Sequence, residues 1–289
     1  MFFFIDISAV RRYNYCGKCC SATGGLKVAE YRILAIGDIV GAESTDRVCR
    51  DVGRLRNEYR ADLVIANGEN AARGNGLDRV TAESLLSSGI DVLTSGNHIW
   101  QKHGMQDYID GNRFVLRPAN YPSGTPGKGF VVYDSCGTRV LVMNVLGTVF
   151  MEPLACPFEA VEKMLAENAG EYCISFLDIH AEATSEKLAL AYYFDGRISA
   201  VCGTHTHVQT SDARVLPGGT GYITDLGMCG AENSVLGVKK ECVIERLRTH
   251  MPVRFDNPEG EATFLEGALY TCDTATGKAL SVEAIRCRI

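Results

Sequence analysis

Five short apolar runs in this sequence each end on side chains that can bind a metal ion or move a proton. ILAIGD ends at Asp38, LVIANGEN ends at Glu69 and Asn70, and VLTSGNH presents Asn97 and His98. SFLDIH then presents Asp178 and His180, and AVCGTHTH presents His205 and His207. Four of the six histidines belong to this set; His103 and His250 lie in helix-like stretches and read as surface residues. Each residue alone has an ordinary explanation. Asp38 after a glycine suits a turn or helix cap, Asn97 a left-handed turn, and Glu69 a pairing with Arg73 one turn away. Two histidines two apart suit the polar edge of a strand. Five such placements in succession, each directly after an apolar run, are not a set of separate accidents.

The donors are carboxylate, carboxamide and imidazole, with no thiolate among them. Such nitrogen and oxygen sets suit Fe, Mn, Zn or Co and serve Cu(I) or iron–sulfur clusters poorly. Asp38, Glu69, Asn70, Asn97, His180, His205 and His207 exceed the needs of one four- to six-coordinate ion. Two ions about 3.5–4 Å apart, bridged by a carboxylate, fit the count better and clamp the attacking and leaving oxygens of a phosphoryl group. The expected chemistry is phosphoester hydrolysis.

The elements that must position these residues are short. Residues 32–36, 62–66, 91–94, 140–145, 173–177 and 200–202 read as buried strands bounded by turn residues. Residues 44–59, 79–88, 157–169 and 184–194 read as helices between them. Such alternation predicts an α/β architecture with many parallel strands, and ligands of open α/β sheets gather outside the carboxyl ends of the strands. Residues 263–271 and 279–287 predict a terminal hairpin across Thr276-Gly277, and the Pro- and Gly-rich stretch 111–140 a small excursion.

Composition agrees with an enzyme of this class. At 289 residues and 46% apolar, the chain can bury a core of roughly three quarters of its unfolded surface. A net charge of −6 argues against broad electrostatic binding to nucleic acid or acidic membranes, though not against a local basic pocket. No apolar run approaches about 18 residues, so no membrane span is expected. The twelve cysteines lack the short secreted framework of disulfide scaffolds and read as buried thiols of a cytoplasmic protein. Residues 1–30 match neither period and read as a non-structural extension to one domain over 31–289. Cys16 and Cys19 lack the second pair a zinc ribbon needs.

GD, GNH and GTHTH on successive strand ends resemble the dinuclear metallophosphoesterases. The first motif, Gly37-Asp38-Ile39-Val40-Gly41, lacks the usual second His, and Asn67-Gly68-Glu69-Asn70 replaces the broader GDxxD pattern. With RPANYPSGTPGKG (117–129), HAEATSEKLAL (180–190), GTHTHVQT (203–210) and YITDLGM (222–228), the chain resembles the YmdB-type family of bacterial 2′,3′-cyclic-nucleotide 2′-phosphodiesterases over about residues 31–286.

The resemblance implies a layered α/β/β/α sandwich with a dinuclear site at the C-terminal ends of the strands. It implies one metal held by Asp38, Glu69, Asn70 and His207, and another by Glu69, Asn97, His180 and His205, with Glu69 the bridge. The ions would be iron first, with manganese the alternative. It implies His98 as proton donor to the leaving oxygen. The acidic residue that commonly follows GNH is missing here, where Ile99 and Trp100 stand, so Asp178 or a backbone carbonyl is expected to orient His98.

Substrate contacts are less legible. Arg73, Arg117, Lys128, Lys187 and Arg197 could meet phosphate, or could be solvated or paired with Glu182, Glu186 and Asp195. Tyr121, Tyr192 or Tyr193 could stack on a base or belong to the core. The expected partner is a small cyclic nucleotide, with RNA-derived ends and self-association left open. The competing expectations are a general phosphomonoesterase or nucleotidase, and a regulatory or RNA-binding module without turnover. Retention of every donor and of His98 opposes the last.

Overall fold

The computed structural model describes residues 29–135 and 137–289. The expected extension, apart from its last two residues, and Cys16 and Cys19 lie outside the described residues. In chain order the elements begin β1 (Glu30–Val40), α1 (Ala42–Glu58), β2 (Leu63–Asn70), α2 (Arg79–Ser88), β3 (Val92–Thr94) and α3 (Met105–Gly111). The middle comprises β4 (Phe130–Ser135), β5 (Thr138–Leu146), α4 (Pro157–Glu167), β6 (Ile174–His180), α5 (Thr184–Tyr193) and β7 (Ala200–Thr204). The last third holds β8 (Arg214–Val215), β9 (Gly221–Ile223), β10 (Met228–Ala231), α6 (Lys240–Thr249), β11 (Thr263–Asp273) and β12 (Ala279–Arg288).

Two six-stranded sheets form, in the orders β12-β11-β10-β1-β2-β3 and β4-β5-β6-β7-β9-β8. The chemistry-bearing strands β1, β2 and β3 are mutually parallel in the first sheet, as are β5, β6, β7 and β9 in the second. Parallel strands covered on both faces read as continuous apolar runs, which is why they stand out in the sequence.

Strand alternation builds the layers. On β1, Leu34 and Ile36 turn toward α1, where they meet Val48, Val52 and Leu55. Ile33 and Ala35 turn the other way, into a layer shared with Val140, Val142, Phe176 and Cys202 of the second sheet. Leu141, Met143, Leu177 and Ile179 point outward to Val161, Met164 and Leu190 on α4 and α5. The result is an α/β/β/α sandwich with its central core between the sheets. Residues 111–129 form the end of α3 and a long connection, and β4 pairs antiparallel with β5 at the sheet edge. The terminal hairpin forms as expected, and β11 also pairs with β1 from Glu30 to Ile36.

Local sequence sets the ends that matter. Asp78 caps α2 by accepting from Thr81 N–H at 2.8 Å, and Gly89 ends that helix in the left-handed conformation. Of the histidines expected at the surface, both are exposed; His103 precedes α3 in a turn, and His250 caps the C-terminus of α6.

Candidate metal centre

Asp38 reaches its position through a break in β1. The pairing with β2 shifts register on both sides of Asp38, the signature of a bulge that re-aims a side chain. Only glycine fits just before it, because a Cβ on Gly37 would overlap the Gly227 carbonyl. Asp38 is wholly buried. Its Oδ2 accepts the His205 N–H at 3.1 Å, and Oδ1 lies 3.7 Å from His207 Nε2.

Glu69 sits at the centre of the cluster. Its Oε1 lies 3.1 Å from both His98 Nδ1 and His180 Nε2. His205 Nδ1 approaches His180 Nε2 at 3.1 Å. Asn70 bridges outward, with Oδ1 3.0 Å from His98 Nδ1 and Nδ2 3.4 Å from His207 Nε2. Ligand atoms of Glu69, His180 and His205 lie within 4.8 Å of one another, a grouping that could hold a metal ion. A Cβ at Gly96 would overlap both the Glu69 carboxylate and the His180 ring, so the residue before Asn97 must be glycine.

Two features fit this pocket to a cation. Asp38 Oδ1 and Asn97 Oδ1 are buried oxygens without a hydrogen-bond partner among the described residues. Leaving such an acceptor unmatched costs about 1–3 kcal/mol, and a metal ion would satisfy both. The donors also divide by sheet. Asp38, Glu69 and Asn70 lie at the ends of β1 and β2 and Asn97 follows β3, all in the first sheet, whereas His180 ends β6 and His205 and His207 follow β7, in the second.

Electrostatics follow burial and the ion pair at the centre. Burial pushes the Asp38 carboxyl up to about 6, against the pull of His207 and His180. Burial opposes ionisation of Glu69 too, but His180 and His98 hold it well below the usual carboxylate range. For His180, burial is outweighed by Glu69 and Asp38, which raise it to about 9. Burial and the neighbouring His180 lower His205 to about 4.

A second layer fixes which nitrogen each imidazole offers. His180 Nδ1 lies 2.9 Å from Thr204 Oγ1, which donates onward to Asp178 Oδ1 at 2.8 Å. Asp178 Oδ2 also accepts from Thr94 Oγ1 at 2.5 Å and Asn67 Nδ2 at 3.1 Å. Because that chain holds Nδ1, Nε2 of His180 faces Glu69. His207 Nδ1 donates to the Leu236 carbonyl at 3.1 Å, so its Nε2 likewise turns inward. His205 and His207 adopt positive φ angles of 100° and 62°, a strain of about 1–3 kcal/mol each that surrounding structure must hold.

Several expectations change here. Asp178 does not orient His98; it lies behind His180, in the second sheet. His98 is held by Asn70 Oδ1 and Glu69 Oε1, with its own N–H 3.4 Å from Glu69 Oε2. Glu69 does not pair with Arg73, which is exposed. Of the five cations considered for phosphate, Lys187 is buried against Asp225 and Arg197 pairs with Glu162. Arg117 holds the carbonyls of Pro118, Thr125 and Pro126. Arg73 and Lys128 remain on the surface. Thr204, Asn67, Thr94, Lys187 and Asp225 take roles here that only the fold's tertiary contacts give them, although Asn67, Lys187, Thr204 and Asp225 lie inside motif blocks.

A family model described as YmdB-like protein matches residues 34–285. The chain belongs to that family. It is 48% identical over 254 residues to a Bacillus subtilis 2′,3′-cyclic-nucleotide 2′-phosphodiesterase, covering 88% of this chain and 96% of that one. A solved Thermus thermophilus protein, described as hypothetical, superposes with a TM-score of 0.83 at 40% identity, covering 89% of this chain and 99% of that one. A Mycoplasma pneumoniae protein solved as a novel phosphatase does so at 0.84 and 30% identity, covering 90% and 94%. Among the described residues, no helix is long and apolar enough to cross a membrane.

Proposed function

We infer that the protein is a metal-dependent phosphodiesterase that opens 2′,3′-cyclic nucleotides to 3′-nucleotides. The observation that carries this reading is the buried donor cluster with two unpartnered oxygens, Asp38 Oδ1 and Asn97 Oδ1. The activity of the Bacillus subtilis relative supports the substrate.

Two ions, iron first and manganese second, would be held by Asp38, Glu69, Asn70 and His207 and by Glu69, Asn97, His180 and His205. When bound they would supply charge stabilisation to the phosphate and activate the attacking water at neutral pH. The chain's own residues do the rest. Glu69 and Asn70 hold His98 through Nδ1, which leaves Nε2 to carry the proton that matters. Water oxygen bonds to phosphorus as the water gives up a proton to solvent, the bond from phosphorus to O2′ breaks, His98 protonates O2′, and His98 then regains a proton from solvent. The product has a free 2′-hydroxyl and a 3′-phosphate.

The test is metal analysis of anaerobically purified protein, with hydrolysis of 2′,3′-cyclic AMP followed on the same sample. Bound metal and 3′-AMP as product are expected. Protein without metal, or 2′-AMP as product, would overturn the reading. A general phosphomonoesterase is the second reading, favoured by the relative solved as a phosphatase. It requires higher kcat/KM on 2′- or 3′-monophosphates than on the cyclic substrate.

A further inference from the structure

The chain has one tryptophan, Trp100, and it stands two residues past His98. Its ring meets Tyr121 edge to face, with centroids 5.9 Å apart and planes at 83°. Beside them lies a wide-mouthed surface cavity of about 470 Å³, lined also by Gln106, Ser123, Thr125 and Pro126. That volume falls within the range of small-molecule sites, roughly 300–1,000 Å³.

Its walls are held from behind. The Arg117 guanidinium is buried and donates to the Pro126 carbonyl at 3.0 Å and the Thr125 carbonyl at 3.3 Å. On the other side, Asn120 donates from Nδ2 to the Leu146 carbonyl at 2.8 Å and accepts the Leu146 N–H at 2.9 Å. Leu146 is the register partner of His180 on the neighbouring strand. Tyr121, the next residue, is therefore tied to the strand end that carries His180. Burial, Glu152 and Glu69 push its phenol up to about 12. Tyr192 and Tyr193 lack this placement. They end α5, whose first turn starts near His180, and so sit a helix length away from it.

We propose that this cavity receives the base of the nucleotide, stacked on the Trp100 ring that Tyr121 braces edge-on, while the phosphate lies over the Asp38–Glu69–His180 cluster. The proposal rests on the phosphodiesterase reading for the phosphate end only. Stacking accepts any base, since every base has a π face. Gln106, Ser123 and Thr125 offer amide and hydroxyl groups to the base edge, so purines and pyrimidines both fit, with modest preferences between them.

The test compares 2′,3′-cyclic AMP with methyl ribofuranoside 2′,3′-cyclic phosphate, which lacks a base. The wild-type kcat/KM should favour the nucleotide by about 10- to 100-fold, the scale of one base–aromatic stack. Trp100→Leu and Tyr121→Leu should remove most of that preference through KM and leave the baseless substrate nearly unchanged. Tyr121→Phe should keep it. Equal kcat/KM for the two substrates in the wild type, or equal losses on both in the variants, would overturn the proposal. Because Trp100 is the sole indole, adenosine should also quench the protein's tryptophan emission saturably, and less tightly in Tyr121→Leu. If no cyclic phosphate is hydrolysed, the phosphodiesterase reading falls and this quenching decides the pocket alone: saturable quenching upholds it, and none overturns it.

Discussion

Lys187 Nζ lies 2.8 Å from Asp225 Oδ2, and both side chains are buried beneath the loop that carries His205 and His207. The same carboxylate oxygen accepts the Thr206 N–H at 3.2 Å and its hydroxyl at 2.8 Å. Thr206 stands between the two strained histidines. The ion pair thus grips the one residue from which both rings hang.

Removing one partner of a buried pair leaves the other charge without compensation, a loss of about 3–5 kcal/mol. Lys187→Met should therefore lower the unfolding free energy by that order and release the 204–207 loop. Asp225→Asn added to Lys187→Met should recover part of the stability. Urea denaturation of the three proteins checks this, and no recovery in the double variant would mean that Lys187 acts through packing alone.

The central carboxylate is expected to be indispensable. Glu69→Gln keeps the shape but removes the negative charge that faces His98 and His180. Hydrolysis should be almost abolished and metal content should fall. Elemental analysis with a turnover assay decides it; wild-type activity with metal retained would remove Glu69 from the bridging role.

Proton donation separates from metal binding at His98. His98→Ala should retain metal and lower kcat on a cyclic nucleotide by about 10²–10⁴-fold, the usual range for general acid catalysis. The loss should be far smaller on a nitrophenyl phosphodiester, because nitrophenolate leaves without a proton. Equal losses on both would make His98 a phosphate-positioning residue, and loss of metal would make it a ligand.

Asp212 gives a pH-dependent stability. Burial disfavours its charge, but Thr224 and Thr210 hydroxyls, at 2.6 and 2.7 Å, and the Thr224 N–H hold the carboxyl below its ordinary value. A depressed carboxyl contributes stability above its unfolded pKa and loses it as the pH falls through the folded one. Asp212→Asn should accordingly lower Tm at pH 7, with the gap to wild type narrowing as the pH drops below about 4. A gap independent of pH would assign the effect to shape.

The strand ends are legible in the sequence because their physics is local. A parallel strand buried on both faces is an unbroken apolar run, so a polar donor at or just past its carboxyl end stands out against it. This is how Asp38, Glu69, Asn70, Asn97, His98, His180, His205 and His207 can be placed together. Elements without such a pattern escape: α6 has no buried side chain, and β8, β9 and β10 span two to four residues. The role of Asp178 is hidden for a different reason. Nothing in a linear chain tells that residues 178 and 98 belong to different sheets, and its partners Thr94 and Asn67 meet it only across that seam, while Thr204 meets it from the neighbouring strand.

The division of donors between the sheets bears on how the site comes into being. Of the proposed ligands, those of the first sheet all bind through oxygen and those of the second all through imidazole nitrogen. Neither half-set is the whole proposed set, so the complete site requires both sheets in place. Under the proposed ligand set, full metal content would report that the two sheets have docked in register.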